Sequence, residues 1–324
     1  MAKLSHRWVL GAVAAMLLAG PAGAQEVRVF PPAPPTESPI AGAIDFHVHS
    51  APDVFGRSID DNAVAEVAVR AGMRALVYKN HVTTTADRAA LVMKAVPGIE
   101  VFGGITLNQA VGGINVMAVE WMHRIEGGRG KVVWLPTFDA DHHLRVFGEA
   151  GEGLKVAVDG VVTAETEAVL EVIARENLVL HTGHVAPAEV LAVIRRGREI
   201  GVDNIVITHA MADVPGLDLD QMRQAAAMGA FMELDYINHL MGPQAHLGWM
   251  RHWRRVSIAD MAAAVKAIGA AHFVLGSDLG QTGNPIHPDG YKMLVAGLQK
   301  AGLSEADLDL MMKTNPARLL GLEP

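Results

Sequence analysis

Short apolar runs recur along this chain, each separated from the next by a longer segment with apolar residues near helical spacing. The runs at 43–48, 74–79, 100–107, 131–138, 178–182, 204–208, 231–236 and 272–276 are dense in Val, Ile, Leu, Phe and Ala and predict buried strands. Helical patterns fall at 59–71, 163–176, 187–199, 218–228, 257–268, 291–301 and 304–313. Gly72 follows the first of these, Thr163 stands where an N-cap belongs, and Pro187 opens the third at a favoured first-turn position. Strand and helix in alternation predict a parallel sheet with helices outside it. Eight such units in roughly 280 residues predict a (β/α)8 barrel of the TIM type. Asp159-Gly160, inside 154–162, predicts an extra β-hairpin before the fifth barrel strand.

The polar positions sharpen this picture. His47, Lys79, Asn108, Asp139, His184, His209 and Asp278 each fall at or just past the C-terminal end of a predicted strand. In barrels that face carries the chemistry. Asp45-Phe46-His47-Val48-His49 is the most informative stretch. Alternate residues of a strand point the same way, so His47 and His49 project together, with Asp45 below them. Two imidazoles at that spacing can share one divalent ion, and Asp45 can orient a ligand from behind; the bland reading is a strand with two solvent-facing histidines. Leu180-His181-Thr182-Gly183-His184, Thr208-His209 and Ser277-Asp278 end three further strands and add imidazoles and a carboxylate. His181 and His184 compete for one position; Gly183 favours His184 by letting the backbone turn at the strand end.

Composition adds limits. The chain has no Cys, so neither disulfides nor thiolates contribute. Lys3 and Arg7, the apolar run 8–19 and Ala22-Gly23-Ala24 have the layout of a secretory signal peptide ending near Ala24; the run is too short for a stable membrane span. Removing it with Lys3 and Arg7 takes the formal net charge from −8 to −10, which disfavours nucleic acid as a partner. Residues 25–40, proline-rich, read as a linker, and 41–324 as the barrel. A periplasmic or secreted protein acting on a small molecule is expected, with a homo-oligomer left open.

The ordered set of His47-x-His49, a histidine on each of strands five and six, and Asp278 on strand eight resembles the amidohydrolase superfamily. Asn315-Pro316-Ala317-Arg318-Leu319-Leu320-Gly321-Leu322 is similar to the ending of many members. The resemblance runs from about Asp45 to Leu322 and implies one or two divalent ions, Zn²⁺ first, on His47, His49, His184, His209 and Asp278. It implies water activation with Asp278 as the proton shuttle in hydrolysis of an amide, ester, lactone or related bond. Lys79 matches the carboxylated lysine that bridges two ions in some relatives, usually on strand four; the other reading is an amine that pairs with Asp278 or another acid, or holds substrate. Many relatives carry a flanking β-sandwich; here a single barrel without one is expected. A metal-dependent decarboxylase on the same barrel and a non-catalytic exported binding protein are the alternative functions. His81, Asn108, Asp139, His181 and His239 are candidates for substrate or supporting contacts, and Thr137, His142, His143, Glu233, Arg57 and Tyr236 follow them.

Overall fold

The computed structural model describes residue 31 and residues 39–323. The leader at 1–24 and nearly all of the 25–40 linker lie outside the described residues. Eight strands form the barrel sheet: β1 (Ile44–Val48), β2 (Ala75–Tyr78), β3 (Glu100–Thr106), β4 (Gly130–Trp134), β7 (Val179–His181), β8 (Asn204–Ile207), β9 (Phe231–Asp235) and β10 (Phe273–Gly276). Neighbours run parallel in chain order, and the ring closes where His49 N donates to Leu279 O at 3.0 Å and Asp278 N donates to His47 O at 2.8 Å. The closing bonds fall on the strands that carry the H-x-H pair and Asp278, so closure and site geometry are one feature. The two remaining strands, β5 (Ala157–Val158) and β6 (Val161–Val162), pair antiparallel as the expected hairpin. Asp159 (φ 51°) and Gly160 (φ 80°) supply the two left-handed residues such a turn needs. Glu189 ties the hairpin to helix α6 (Pro187–Ile200): its Oε1 accepts from Val156 N at 3.0 Å and Ala157 N at 3.3 Å.

Inside the barrel, Ile44, Phe46, Val77, Phe102, Trp134, Val206 and Val274 pack together, with Ala317, Leu319 and Leu320 of α12 (Asn315–Leu320) joining the same cluster. A separate apolar layer fills the space between strands and helices. Burying both layers is the main stabilising term of the fold. Helices α1 (Asp61–Arg70), α5 (Ala164–Arg175), α7 (Leu219–Ala227) and α9 (Ile258–Ile268) match their predicted spans within two residues at each end. Thr163 caps α5 by accepting from Thr166 N.

Some elements differ from the sequence reading. Strand β4 stops at Trp134, short of 138, because Pro136 has no N–H for the ladder. Strand β9 stops at Asp235, and Tyr236 opens the short helix α8 (Tyr236–Leu240). Helix α10 (His287–Lys300) starts ahead of 291, with Pro288 in its first turn. The 304–313 pattern divides into α11 (Glu305–Asp309) and a π-helical turn (Leu310–Thr314). Helices α2 (Ala86–Ala95), α3 (Val116–His123) and α4 (Asp141–Phe147) were not expected. Alanine gives α2 little contrast, and α3 exposes Met117 and Trp121, so neither shows a clean apolar stripe. Among the described residues no helix is long and apolar enough to cross a membrane.

Candidate metal centre at the mouth of the barrel

His49 Nε2 lies 3.1 Å from Asp278 Oδ1, and His47 Nε2 lies 3.4 Å from the same oxygen. Both imidazoles are buried and Asp278 is 13% exposed. One donor atom from each of the three falls within 4.8 Å of the others, the spacing that one ion can span. Burial holds both histidines well below their ordinary range, helped by Lys79 at His47 and by Arg57 and Lys79 at His49, which favours the neutral ring with a lone pair. Burial raises the Asp278 carboxyl, opposed by Lys79 and His209. Asp278 sits at φ 49° and His209 at φ 29°, left-handed conformations that side chains rarely adopt. Such strain persists where the surroundings over-determine it, commonly at functional sites.

Strict alternation fails on β1. Its pairing with β2 shifts between Asp45 and Val48, so Phe46 stacks on His181 inside the barrel while His47 reaches Lys79 and Glu233. Asp45 is buried beneath, accepting from His47 N at 3.2 Å and Ser277 N at 2.8 Å, and burial raises it to about 7. Lys79 is 2% exposed, with Nζ 3.1 Å from His47 Nε2. Burial holds its amine below the usual lysine range, while Asp278, Glu233 and Asp235 pull the other way. Glu233 Oε2 lies 3.2 Å from His47 Nδ1. Burial raises Glu233 to about 8, opposed by Lys79, and pushes Asp235 well above the carboxylate range.

On the other side of the mouth, His184 Nε2 meets His209 Nε2 at 3.1 Å. Gly183 makes this placement: it sits at φ 64°, and a Cβ there would lie 2.3 Å from Leu135 O. His184 N then donates to Pro136 O at 2.9 Å. His181 lies deeper and fully buried, against Phe46 and Trp134, with Nδ1 3.9 Å from Glu233 Oε2. The Asp141-His142-His143 run does not converge on one point. Asp141 pairs with Arg145 at 2.8 Å, His142 faces Pro215 O at 3.3 Å, and His143 Nδ1 reaches His184 Nδ1 at 2.8 Å.

The remaining candidates divide. His81 stacks on His49 and Phe138, and its Nδ1 lies 3.0 Å from Thr137 Oγ1. Asn108 donates to Thr137 Oγ1 at 2.8 Å and accepts from Thr137 N at 2.8 Å, bracing the loops after β3 and β4. Asp139 accepts from Gln109 N at 2.7 Å, a loop contact. His239 faces Arg255 at 3.1 Å, and Tyr236 OH donates to Met293 Sδ at 3.6 Å; neither side chain contacts the mouth histidines. Asp235 and His287 escaped the sequence reading. Glu233-x-Asp235 repeats the i, i+2 spacing of the H-x-H pair, a signal that was present. His287 Nε2 lies 2.8 Å from both His49 O and Leu279 O and holds the closing strands together.

Arg57, paired to Asp53 at 2.8 Å, places Nη2 3.3 Å from His49 Nδ1. A guanidinium only donates, so this contact favours the His49 tautomer with its proton on Nε2, the nitrogen that faces Asp278. An ion at Nε2 needs the other tautomer. Arg57→Gln is therefore expected to tighten metal binding by about tenfold, the worth of one charge-assisted hydrogen bond. Competition with a chromophoric chelator checks this; weaker binding in the variant would contradict it.

Neutral imidazoles and a carboxylate with strained backbone, their donor atoms within reach of one point, suit a divalent cation of the Zn²⁺ or Mn²⁺ kind. His47, His49 and Asp278 are the residues that would hold it, with His184, His209 and Lys79 beside them. Residues 42–233, more than half of the chain, match the profile of a family described as "Family of unknown function (DUF6282)". No curated protein matches the sequence. Among solved structures, the organophosphorus hydrolase from Deinococcus radiodurans is similar at TM-score 0.57 and 16% identity, over 90% of this chain and 99% of that one. A structure described as the engineering of organophosphate hydrolysis from a weak promiscuous lactonase template is similar at TM-score 0.56 and 17% identity, over 86% of this chain and 95% of that one. At such identities the likeness concerns the barrel fold.

Proposed function

We propose a hydrolytic role for this chain, which belongs to the DUF6282 family of unknown function. It is a metal-dependent hydrolase of an ester, lactone, amide or related bond in a small molecule. The observation that carries this reading is the convergence of His49 Nε2 and His47 Nε2 on Asp278 Oδ1, at 3.1 and 3.4 Å, at the C-terminal face of a closed barrel. The resemblance of the ordered motif set and the hydrolase neighbours of the fold support it. A bound divalent ion supplies a Lewis acid that polarises a substrate oxygen and lowers the pKa of water.

The chain's own residues do the rest. Asp278 Oδ1 takes a proton from the attacking water and returns it to the leaving group. Its surroundings support that shuttle, since burial raises its affinity for a proton. Glu233 holds the Nδ1 side of His47, which leaves Nε2 aimed at the mouth. His143 does the same for His184 through the 2.8 Å contact. Burial pulls the Lys79 amine below the usual lysine range, which favours the free lone pair that carboxylation by CO₂ requires. We assign Lys79 to that bridging role and the mature protein to an exported location after cleavage near Ala24.

Metal content per chain, measured on wild type and Lys79→Ala side by side, tests the reading. About two ions falling to one or none is expected, with hydrolysis of at least one compound in an ester, lactone and amide panel. Equal metal in both would remove the bridge. Protein that retains no ion under gentle purification and hydrolyses nothing would remove the hydrolase reading altogether.

A further inference from the structure

Beneath His47, in the throat of the barrel, a second set of donors faces inward. His47 Nδ1 lies 3.2 Å from Glu233 Oε2 and 3.7 Å from Asp235 Oδ2, and one donor atom from each falls within 4.8 Å of the other two. All three side chains are fully buried. Interiors normally pair such atoms. Here Glu233 Oε1, both oxygens of Asp235, Asp45 Oδ2 and His181 Nε2 have no hydrogen-bond partner. Gly276 on β10 makes the arrangement fit: a Cβ at that position would lie 2.1 Å from Asp235 Oδ1 and 3.0 Å from His47 Cβ.

The charges do not balance within the protein. Asp45, Glu233, Asp235 and Asp278 crowd this interior; Arg57 is taken up by Asp53, and Lys79, before any carboxylation, is the cation set among them. Ionised carboxylates without a counter-charge are costly in such a place, so they keep protons or take a cation. A proton shared between Glu233 and Asp235 would answer one oxygen on each. It leaves the other oxygen of Asp235, Asp45 Oδ2 and His181 Nε2 unanswered.

We propose that Glu233, Asp235 and the Nδ1 side of His47 form a second divalent-cation site in the barrel throat, below the mouth site. Two carboxylates and one imidazole suit Mn²⁺ or Zn²⁺. The ion displaces the acid protons and the Nδ1 proton to solvent. With both positions filled, His47 meets the throat ion through Nδ1 and the mouth ion through Nε2, as the imidazolate. The throat site shares His47 and Glu233 with the hydrolase reading, and an ion there takes over from Glu233 in fixing the Nδ1 side of His47.

The test is a titration of the metal-free full chain with Mn²⁺ alone and Zn²⁺ alone, for wild type, Asp235→Asn and His49→Asn. Asp235→Asn is expected to bind one equivalent fewer than wild type. An unchanged stoichiometry overturns the proposal, even with affinity lowered by the ~10–100-fold that loss of an outer partner costs. His49→Asn reports on the mouth separately: an equivalent lost there but retained in Asp235→Asn leaves the mouth site and removes the throat site. The converse removes the mouth site and leaves the throat. Anomalous diffraction from wild-type crystals soaked in Mn²⁺ gives an answer that needs no variant. A peak between Glu233 and Asp235 supports the site, and a peak at the mouth with none in the throat overturns it.

Discussion

Asp278→Asn is expected to lower kcat by roughly 10³-fold at saturating metal while leaving the barrel folded. Asp278 Oδ1 is the atom that both His49 Nε2 and His47 Nε2 approach, so under the proposed hydrolysis it stands where a proton acceptor and an ion ligand are both needed. Loss of a positioned acid–base group costs ~10²–10⁴-fold. Asparagine is the informative replacement. The residue sits at φ 49°, a conformation that asparagine tolerates better than alanine, so the backbone that closes the ring is kept. The amide keeps an oxygen but cannot hold a proton at neutral pH. The measurement is kcat for the best substrate of the ester, lactone and amide panel, with metal content determined on the same sample. A drop below tenfold in fully loaded protein would take the proton role away from Asp278.

Gly183→Ala is expected to destabilise the protein by about 3 kcal/mol and to cost metal binding as well. Two physical terms add. A non-glycine residue in the left-handed region costs ~1–2 kcal/mol, and Gly183 sits at φ 64°. The added Cβ would also lie 2.3 Å from Leu135 O and 2.4 Å from Pro136 O, so the β4 end or the β7 end must move, and overpacking costs ~1–3 kcal/mol. Those carbonyls belong to the loop that receives His184 N, so relief of the clash carries His184 away from His209. Urea unfolding gives the first quantity and chelator competition the second. A variant with wild-type unfolding and wild-type affinity would show that the turn does not govern the site.

Much of this architecture was legible because buried parallel strands declare themselves as short apolar runs, and helices between them fix the topology. The hairpin was legible because Asp159-Gly160 is the pair that its left-handed turn requires. The mouth residues were legible because His47, His184, His209 and Asp278 all follow apolar runs. Helices α2 and α3 were not, since their residues lack the contrast from which a buried face is read. The β1 irregularity was equally hidden: it depends on how Asp45 and Val48 pair with β2.

By itself the sequence determined that alternating units close into a barrel, that no thiolate takes part, and that imidazoles and a carboxylate stand at strand ends. Those are local properties, set by periodicity and residue type. Only the tertiary structure decided which nitrogen faces which oxygen. His143 and His184, Arg57 and His49, and Glu233 and His47 meet through loops and strands whose spacing no local pattern encodes. The throat beneath His47 belongs to the same class, because a carboxylate oxygen is buried without a partner only when the strands around it have closed.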